Sequence, residues 1–116
     1  MADRYKNSRL QGTASLSTYA TLYNTSASTT AIVSTIIIAN TSAFVKQYRI
    51  ALMDSAGTPA ASDWIAYDAS IYANDSVFLT VGLSLQNNQF LRISSTDNTL
   101  TFNASILEIY WWRYLI

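Results

Sequence analysis

Few side chains in this sequence are able to do chemistry on a substrate. The chain has 116 residues and contains no His and no Cys. General acid–base work would therefore fall to carboxylates, and the candidates are Asp54, Asp63, Asp68, Asp75, Asp97 and Glu108. All of these except Glu108 lie in or beside runs of turn residues, where Asp characteristically accepts backbone hydrogen bonds. Glu108 falls at a strand-like position, where Arg92 or Arg113 could pair with it across a sheet. The spacing gives no support to a paired-carboxylate glycosidase. Zinc sites, disulfide scaffolds, Cys nucleophiles and Ser-His triads all need residues the chain lacks. The three glycines, Gly12, Gly57 and Gly82, are too scattered for a phosphate-cradling loop, and no Asp-rich calcium loop occurs. The expectation is a non-enzyme with no cofactor and no metal site.

Binding is better provided for. Half the residues are apolar, only 12% are charged, and seven Lys+Arg balance seven Asp+Glu. A neutral chain has no long-range pull toward nucleic acid or an anionic membrane. The basic residues cluster only near the start, where Arg4, Lys6 and Arg9 are partly offset by Asp3 and joined by Tyr5. The functional reading of this cluster is electrostatic docking on an acidic protein surface; the bland reading is a solvated tail. The end of the chain is more distinctive: Tyr110, Trp111, Trp112, Arg113, Tyr114, Leu115 and Ile116 follow one another. In an extended segment Trp111, Arg113 and Leu115 face one way and Trp112, Tyr114 and Ile116 the other. One domain does not easily cover both faces. Large rigid rings mark interfaces because they desolvate at low entropic cost. Arg4, Tyr5, Lys6, Arg9 and residues 110–116 are accordingly the candidate interface; the bland reading of the tail is an edge strand that completes the core.

The elements that would position these ends are strands. Ser, Thr, Ile, Tyr and Val are abundant and period-2 alternation recurs between turn residues. Residues 1–12 show no period and read as an arm. Ala14 to Tyr23 reads as a first strand. Ala31 to Asn40 is the strongest strand, with Ile32, Ser34, Ile36 and Ile38 on one face and Val33, Thr35 and Ile37 on the other. Two apolar faces predict a central position covered on both sides. Phe44 to Met53 alternates, Trp64 to Tyr67 is a short strand, and Ile71 is an anchor. Ser76 to Leu85 sends Val77, Leu79, Val81, Leu83 and Leu85 inward. Gln89 to Ser94 is expected to pair back after a turn at Gln86 to Asn88. Leu100 to Tyr110 sends Leu100, Phe102, Ala104, Ile106 and Glu108 to one face. Seven or eight strands with turns every 8 to 12 residues predict an all-β fold, an antiparallel β-sandwich of jelly-roll type. The organisation expected is an arm (1–12), a sandwich domain (13–110) and an aromatic tail (111–116). The polar N-terminus predicts no secretory signal, and no apolar run reaches the ~20 residues of a spanning helix. Four Asn-x-Ser/Thr triplets, at Asn24, Asn40, Asn74 and Asn103, are read as unmodified.

Some of these residues also carry a resemblance. Thr29-Thr30, Asn40-Thr41-Ser42, Ile65-Ala66-Tyr67-Asp68 and Phe102-Asn103-Ala104 stand in a stretch, residues 20 to 109, that resembles small β-sandwich structural proteins of tailed phages, of the cyanophage type. The resemblance implies a virion component assembled in the host cytoplasm. More specifically, it implies a capsid cement (decoration) protein that stabilises the shell by binding the phage major capsid protein, as a homo-oligomer, commonly a trimer. A tail, fibre or baseplate module is the alternative within the same resemblance. The matching residues are structural, and the basic arm and aromatic tail extend beyond them. A carbohydrate-binding sandwich is the alternative of another class, with Trp64, Tyr67 and Tyr72 as its stacking platform.

Overall fold

The computed structural model of the chain describes residues 3–110. Among them are eight strands: β1 (Arg4–Gln11), β2 (Ala20–Asn24), β3 (Thr29–Asn40), β4 (Lys46–Met53), β5 (Trp64–Ile71), β6 (Ser76–Leu85), β7 (Phe90–Ser95) and β8 (Leu100–Tyr110). The helical content described is one short 3-10 turn, Ala61–Asp63. The strands form two four-stranded antiparallel sheets, ordered β1-β8-β3-β6 and β2-β7-β4-β5. β1 pairs with β8, β2 with β7, β3 with β6 and β4 with β5. First pairs with last and so on inward, which describes one long ribbon wrapped into a sandwich. This is the jelly-roll topology.

The core lies between the sheets. Phe102, Ile36, Ile38, Ile50, Ile71, Leu85, Leu91, Ile93, Leu100 and Val33 are its largest fully buried apolar side chains. Tyr48 of β4 meets Phe102 of β8 edge-on, with centroids 6.4 Å apart, and ties one sheet to the other. β8 keeps the alternation read from its sequence, with Leu100, Phe102, Ala104, Ile106 and Glu108 all buried. β6 does likewise: Val77, Leu79, Val81 and Leu83 pack against the core and Leu85 lies within it.

Several expectations change. β3 is central in its sheet as expected, but it is not covered on both sides. Its register against β8 shifts between Val33 and Thr35, so one residue, Ser34, is extra. Ala31 and Val33 point inward before the shift; Ile36, Ile38 and Asn40 do so after it. Ile32 is thereby turned to the outer face. Without the bulge, Val33 and Ile36 could not both reach the core, because a one-residue slip inverts the faces. Residues 4–11, expected to be an arm, form β1 along the edge of β8. The segment read as a strand from Ala14 begins at Ala20; residues 14–19 instead cross over the outside, where the Leu16 carbonyl accepts from Arg49. The alternation from Phe44 is strand only from Lys46, and Phe44 is 72% exposed. β7 does not pair back onto β6. Thr25 accepts from the Gln89 N–H and donates to the Gln86 carbonyl, steering the chain across to β2 and β4.

The connections at one end are fastened by single side chains. Asn40, almost fully buried, donates through Nδ2 to the carbonyls of Phe44 (2.8 Å), Ile71 (3.2 Å) and Tyr72 (3.1 Å). Its Oδ1 accepts from the Ser42 N–H at 2.9 Å. The β3–β4 and β5–β6 connections are thus clamped together, which leaves the amide of this Asn-x-Ser triplet committed to the fold. Gly12 makes the other close approach: a Cβ there would lie 2.2 Å from Ser95 Oγ and 3.0 Å from two backbone carbonyls.

Asn40→Ala removes one donor group from three carbonyls at once. The expected loss is roughly 2–4 kcal/mol of stability, read as a lower urea midpoint with an unchanged slope. An unmoved midpoint would show that the clamp contributes nothing.

Candidate interaction surfaces

The basic residues near the start divide between the two faces of β1. Arg4 and Lys6 sit opposite Glu108 and Ile106 and turn inward; Tyr5 and Arg9 sit opposite Leu107 and Asn103 and turn outward. Glu108 is the buried charge they serve. Arg4 donates to its Oε1 at 3.0 Å, Lys6 Nζ lies 3.8 Å from Oε2, and the Tyr23 hydroxyl donates to Oε2 at 2.5 Å. Among the described residues Glu108 is held by Arg4 and Lys6 in place of the expected Arg92, and Arg113, the other expected partner, lies outside the described residues. Arg92 belongs to the other sheet and bonds to the Thr21 hydroxyl. A buried carboxylate needs compensating charge and hydrogen bonds, and β1 supplies both. This is the physical reason that residues 4–11 are strand rather than arm. Arg4 and Lys6 thus serve Glu108 while their side chains stay about half exposed, and Tyr5, 85% exposed, faces out.

Each remaining candidate carboxylate also has a local partner. Asp54 accepts from Gln89, Asp63 from the Ala60 N–H and Asp75 from the Ser76 N–H. Asp97 accepts from Lys46 Nζ at 2.6 Å and from both the hydroxyl and the N–H of Thr99. The Lys46 and Thr99 bonds pull its pKa from 3.8 down to about 2. Asp68 sits at a bulge in β5 with φ +52, which turns its carboxylate onto Arg49, Nε to Oδ1 at 2.6 Å. Asp68 is the main reason that the Arg49 guanidinium is held still more firmly cationic than usual. Among the described residues no three of His, Cys, Asp or Glu gather in one place.

Arg49 also organises the aromatic residues of this sheet. Its guanidinium lies 4.2 Å from the Tyr67 ring centroid and 5.7 Å from that of Trp64. Trp64 and Tyr67 meet edge-on at 4.8 Å and 72°. Their faces are not coplanar, and one side of Tyr67 is covered by Arg49. Tyr72 lies just beyond the far end of β5, eight positions from Trp64 and five from Tyr67. Of the three rings expected as a sugar platform, Trp64 and Tyr67 meet each other, and among the described residues no ring contact joins Tyr72 to them. In this part of the sheet, the Ile65-Ala66-Tyr67-Asp68 element acts as an ion-pair and ring clamp.

The surface available for binding is the outer face of β1-β8-β3-β6. Tyr5 pairs with Leu107 and Leu107 with Ile32, giving an apolar rung that borders a shallow groove of about 560 Å³. Further along, Ile37 pairs with Phe78. Hydroxyl and amide side chains separate these rungs. The outward position of Phe78 follows from the inward phase of Val77 to Leu85, whereas that of Ile32 depends on the bulge in β3, which the alternation does not reveal. A second exposed set, Phe44, Val45 and Tyr72, stands at the loops that Asn40 holds together. Of the expected interface, Tyr110 closes β8 opposite Thr29. Trp111, Trp112, Arg113, Tyr114, Leu115 and Ile116 lie outside the described residues. No helix among the described residues is long and apolar enough to cross a membrane.

Comparison with solved structures finds the same fold in viral particles. The chain is similar to a chain of the T13 IBDV viral particle, with a TM-score of 0.54 and 10% identity over 93% of this chain and 31% of that one. It is also similar to a chain in the structure of the infectious bursal disease virus Gx strain, with a TM-score of 0.55 and 9% identity over 95% of this chain and 34% of that one. The chain thus spans about a third of the length of these neighbours, and at such identities the likeness is one of fold. No protein-family model and no curated protein matches the chain.

Two ionic contacts give measurable expectations. Glu108→Ala removes an acceptor from the Tyr23 hydroxyl and a counter-charge from Arg4 and Lys6. It should cost roughly 1–3 kcal/mol and selectively speed hydrogen exchange in β1; uniform exchange across the sandwich would contradict this role. For Asp97 the folded pKa lies below the unfolded one, so the unfolded chain binds the proton first as the pH falls. The contribution is fully present above about pH 4 and is lost as the pH falls toward about 2. Asp97→Asn should lower the melting temperature at neutral pH and flatten its fall in that window.

Proposed function

We propose that this chain is a virion structural protein that works by binding and makes or breaks no bonds: a capsid cement protein attached to the shell of a tailed phage as a homo-oligomer. One observation carries the reading, the eight-stranded jelly roll shared with chains of viral particles. Two features favour binding over catalysis. The candidate carboxylates are each engaged in local structural bonds. The outer face of β1-β8-β3-β6 is nearly free of charge, so that apolar rungs and neutral hydrogen-bonding groups face outward, and such a face is cheap to desolvate. The C-terminal Trp111, Trp112, Tyr114, Leu115 and Ile116 supply the anchors, since truncated aromatic anchors typically dominate binding losses. A tail, fibre or baseplate position would use the same chemistry and differs in location and copy number.

Gradient-purified particles should contain the chain at a fixed ratio near that of the major capsid subunit, and cryo-microscopy should place it on the outer shell. A chain lacking residues 111–116 should keep its β circular dichroism yet fail to co-sediment with shells stripped of the native protein. Its absence from particles would overturn the virion reading, location in the tail would overturn the cement assignment, and undiminished co-sedimentation of the truncated chain would remove the anchor.

A further inference from the structure

The four sheet edges are β1, β6, β2 and β5, and each edge strand turns alternate backbone N–H and C=O groups to solvent. Three of the four are blunted. β1 carries Arg4, Lys6 and Arg9. β2 has five residues interrupted by a register shift. β5 has two register shifts and holds Asp68 at positive φ. β6 differs: its ten residues, SVFLTVGLSL, include no charge and no proline. From Ser76 to Thr80 it pairs with β3 in unbroken register. Beyond that run Gly82, at φ +56, bends the strand. On this flat stretch Phe78 is 67% exposed, and among the described residues no strand pairs with its outer edge.

We propose that a second copy of this chain occupies this edge, its β6 running antiparallel to the first with Phe78 on a twofold axis. An unpaired strand edge is satisfied by another extended strand, and charge selects which. β6 against β6 brings no like charges together, whereas β1 against β1 would oppose Arg4, Lys6 and Arg9 to themselves. β6 against β1 would leave a free edge at each end and extend without closing; the β6 pair closes on itself. Matching inner and outer faces then allows only registers in which opposed residue numbers sum to an even value. Centring on Phe78 sets ring against ring, Ser76 against Thr80, and Val77 against Leu79. These are an aromatic pair, a hydroxyl pair and an apolar pair, the cross-strand combinations that stabilise sheets. The two four-stranded sheets become one of eight strands.

The proposal does not rest on the virion reading, because it is tested on the isolated full-length chain. Light scattering should give about twice 12.9 kDa. Phe78→Lys, which places like charges on the axis, should halve that mass and leave far-ultraviolet circular dichroism unchanged. The chain has no Cys, so single-cysteine variants report the register directly. Opposed antiparallel residues have Cα atoms about 4.5–5.5 Å apart, within disulfide reach. Phe78→Cys should therefore cross-link to itself, and Ser76→Cys should cross-link to Thr80→Cys when the two are mixed. Tyr5→Cys, equally accessible on β1, should remain uncross-linked under the same oxidant. A chain that stays monomeric up to its solubility limit would overturn the proposal. So would a threefold mass, or a dimer that Phe78→Lys leaves intact.

Discussion

The phase of β8 is the constraint on which the sandwich depends. This strand lies between β1 and β3, and its inward residues Leu100, Phe102, Ala104, Ile106 and Glu108 alternate without interruption. Side chains in a strand alternate strictly, so each neighbour must bring its own apolar residues into step with this one. β3 does so by accommodating Ser34 as an extra residue, and β6 by a further extra residue against β3 near Gly82. From Ile106 to Ala104 β8 takes two residues, where β3 takes three from Val33 to Ile36 and β6 takes four from Leu83 to Leu79. The sheet lengthens progressively toward β6, and bulges of this kind increase twist and bend the sheet around its core. Positive φ at Gly82 is the local conformation that allows the last of these adjustments.

The same phase puts Glu108 inside the sandwich, and this shapes the charge distribution of the surface. Two of the seven cations, Arg4 and Lys6, are drawn to that carboxylate, and Lys46 and Arg49 are paired with Asp97 and Asp68. Charges tied into contacts within the fold do little at long range. What faces outward from β1-β8-β3-β6 is mostly hydroxyl, amide and apolar, with Arg9 the cation on the outward side of β1. A surface of this kind is poor at steering encounters electrostatically. It is suited to lasting contacts between closely fitted faces, where desolvating a hydroxyl or an aromatic ring costs less than desolvating an ammonium or carboxylate group.

How much of this could be read from the sequence follows from where hydrophobicity and parity agree. β6 and β8 were legible because their inward residues are apolar and evenly spaced, from Val77 to Leu85 and from Leu100 to Ile106. The strand at β3 was legible, but its faces were not. The bulge at Ser34 preserves the average composition while putting Ile32 and Ile36 on opposite faces, and only the partners across the sheet reveal it. β1 escaped notice for a different reason. Its inward set, Arg4, Lys6, Ser8 and Leu10, is largely polar because it faces Glu108 and the carbonyl of Leu22, so no hydrophobic period exists to detect. Asp63, Asp75 and Asp97 accept the local backbone hydrogen bonds expected of turn residues, while Asp54 takes the distant Gln89 side chain and Asp97 also takes Lys46. Asp68 is a strand bulge whose partner, Arg49, lies nineteen positions away, a separation no local pattern encodes. The Asn40 clamp likewise joins residues up to thirty-two positions apart.

Topology and edge chemistry together bear on how such a chain would act in an assembly. Nested pairing leaves the sandwich with four edge strands, and a free, uncharged edge is ordinarily a hazard that natural sheets suppress. β1 suppresses it with basic residues, β5 with a bulge and an ion pair, and β2 by its shortness. Leaving β6 without a charge or a proline therefore stands out against the treatment of the other three. A contact limited to the run from Ser76 to Thr80 is small, so the extent of pairing depends on protein concentration. Where two copies are already held side by side, the same contact becomes effectively intramolecular and gains from high local concentration. An unguarded edge of modest length thus pairs the more completely the closer its copies are brought together.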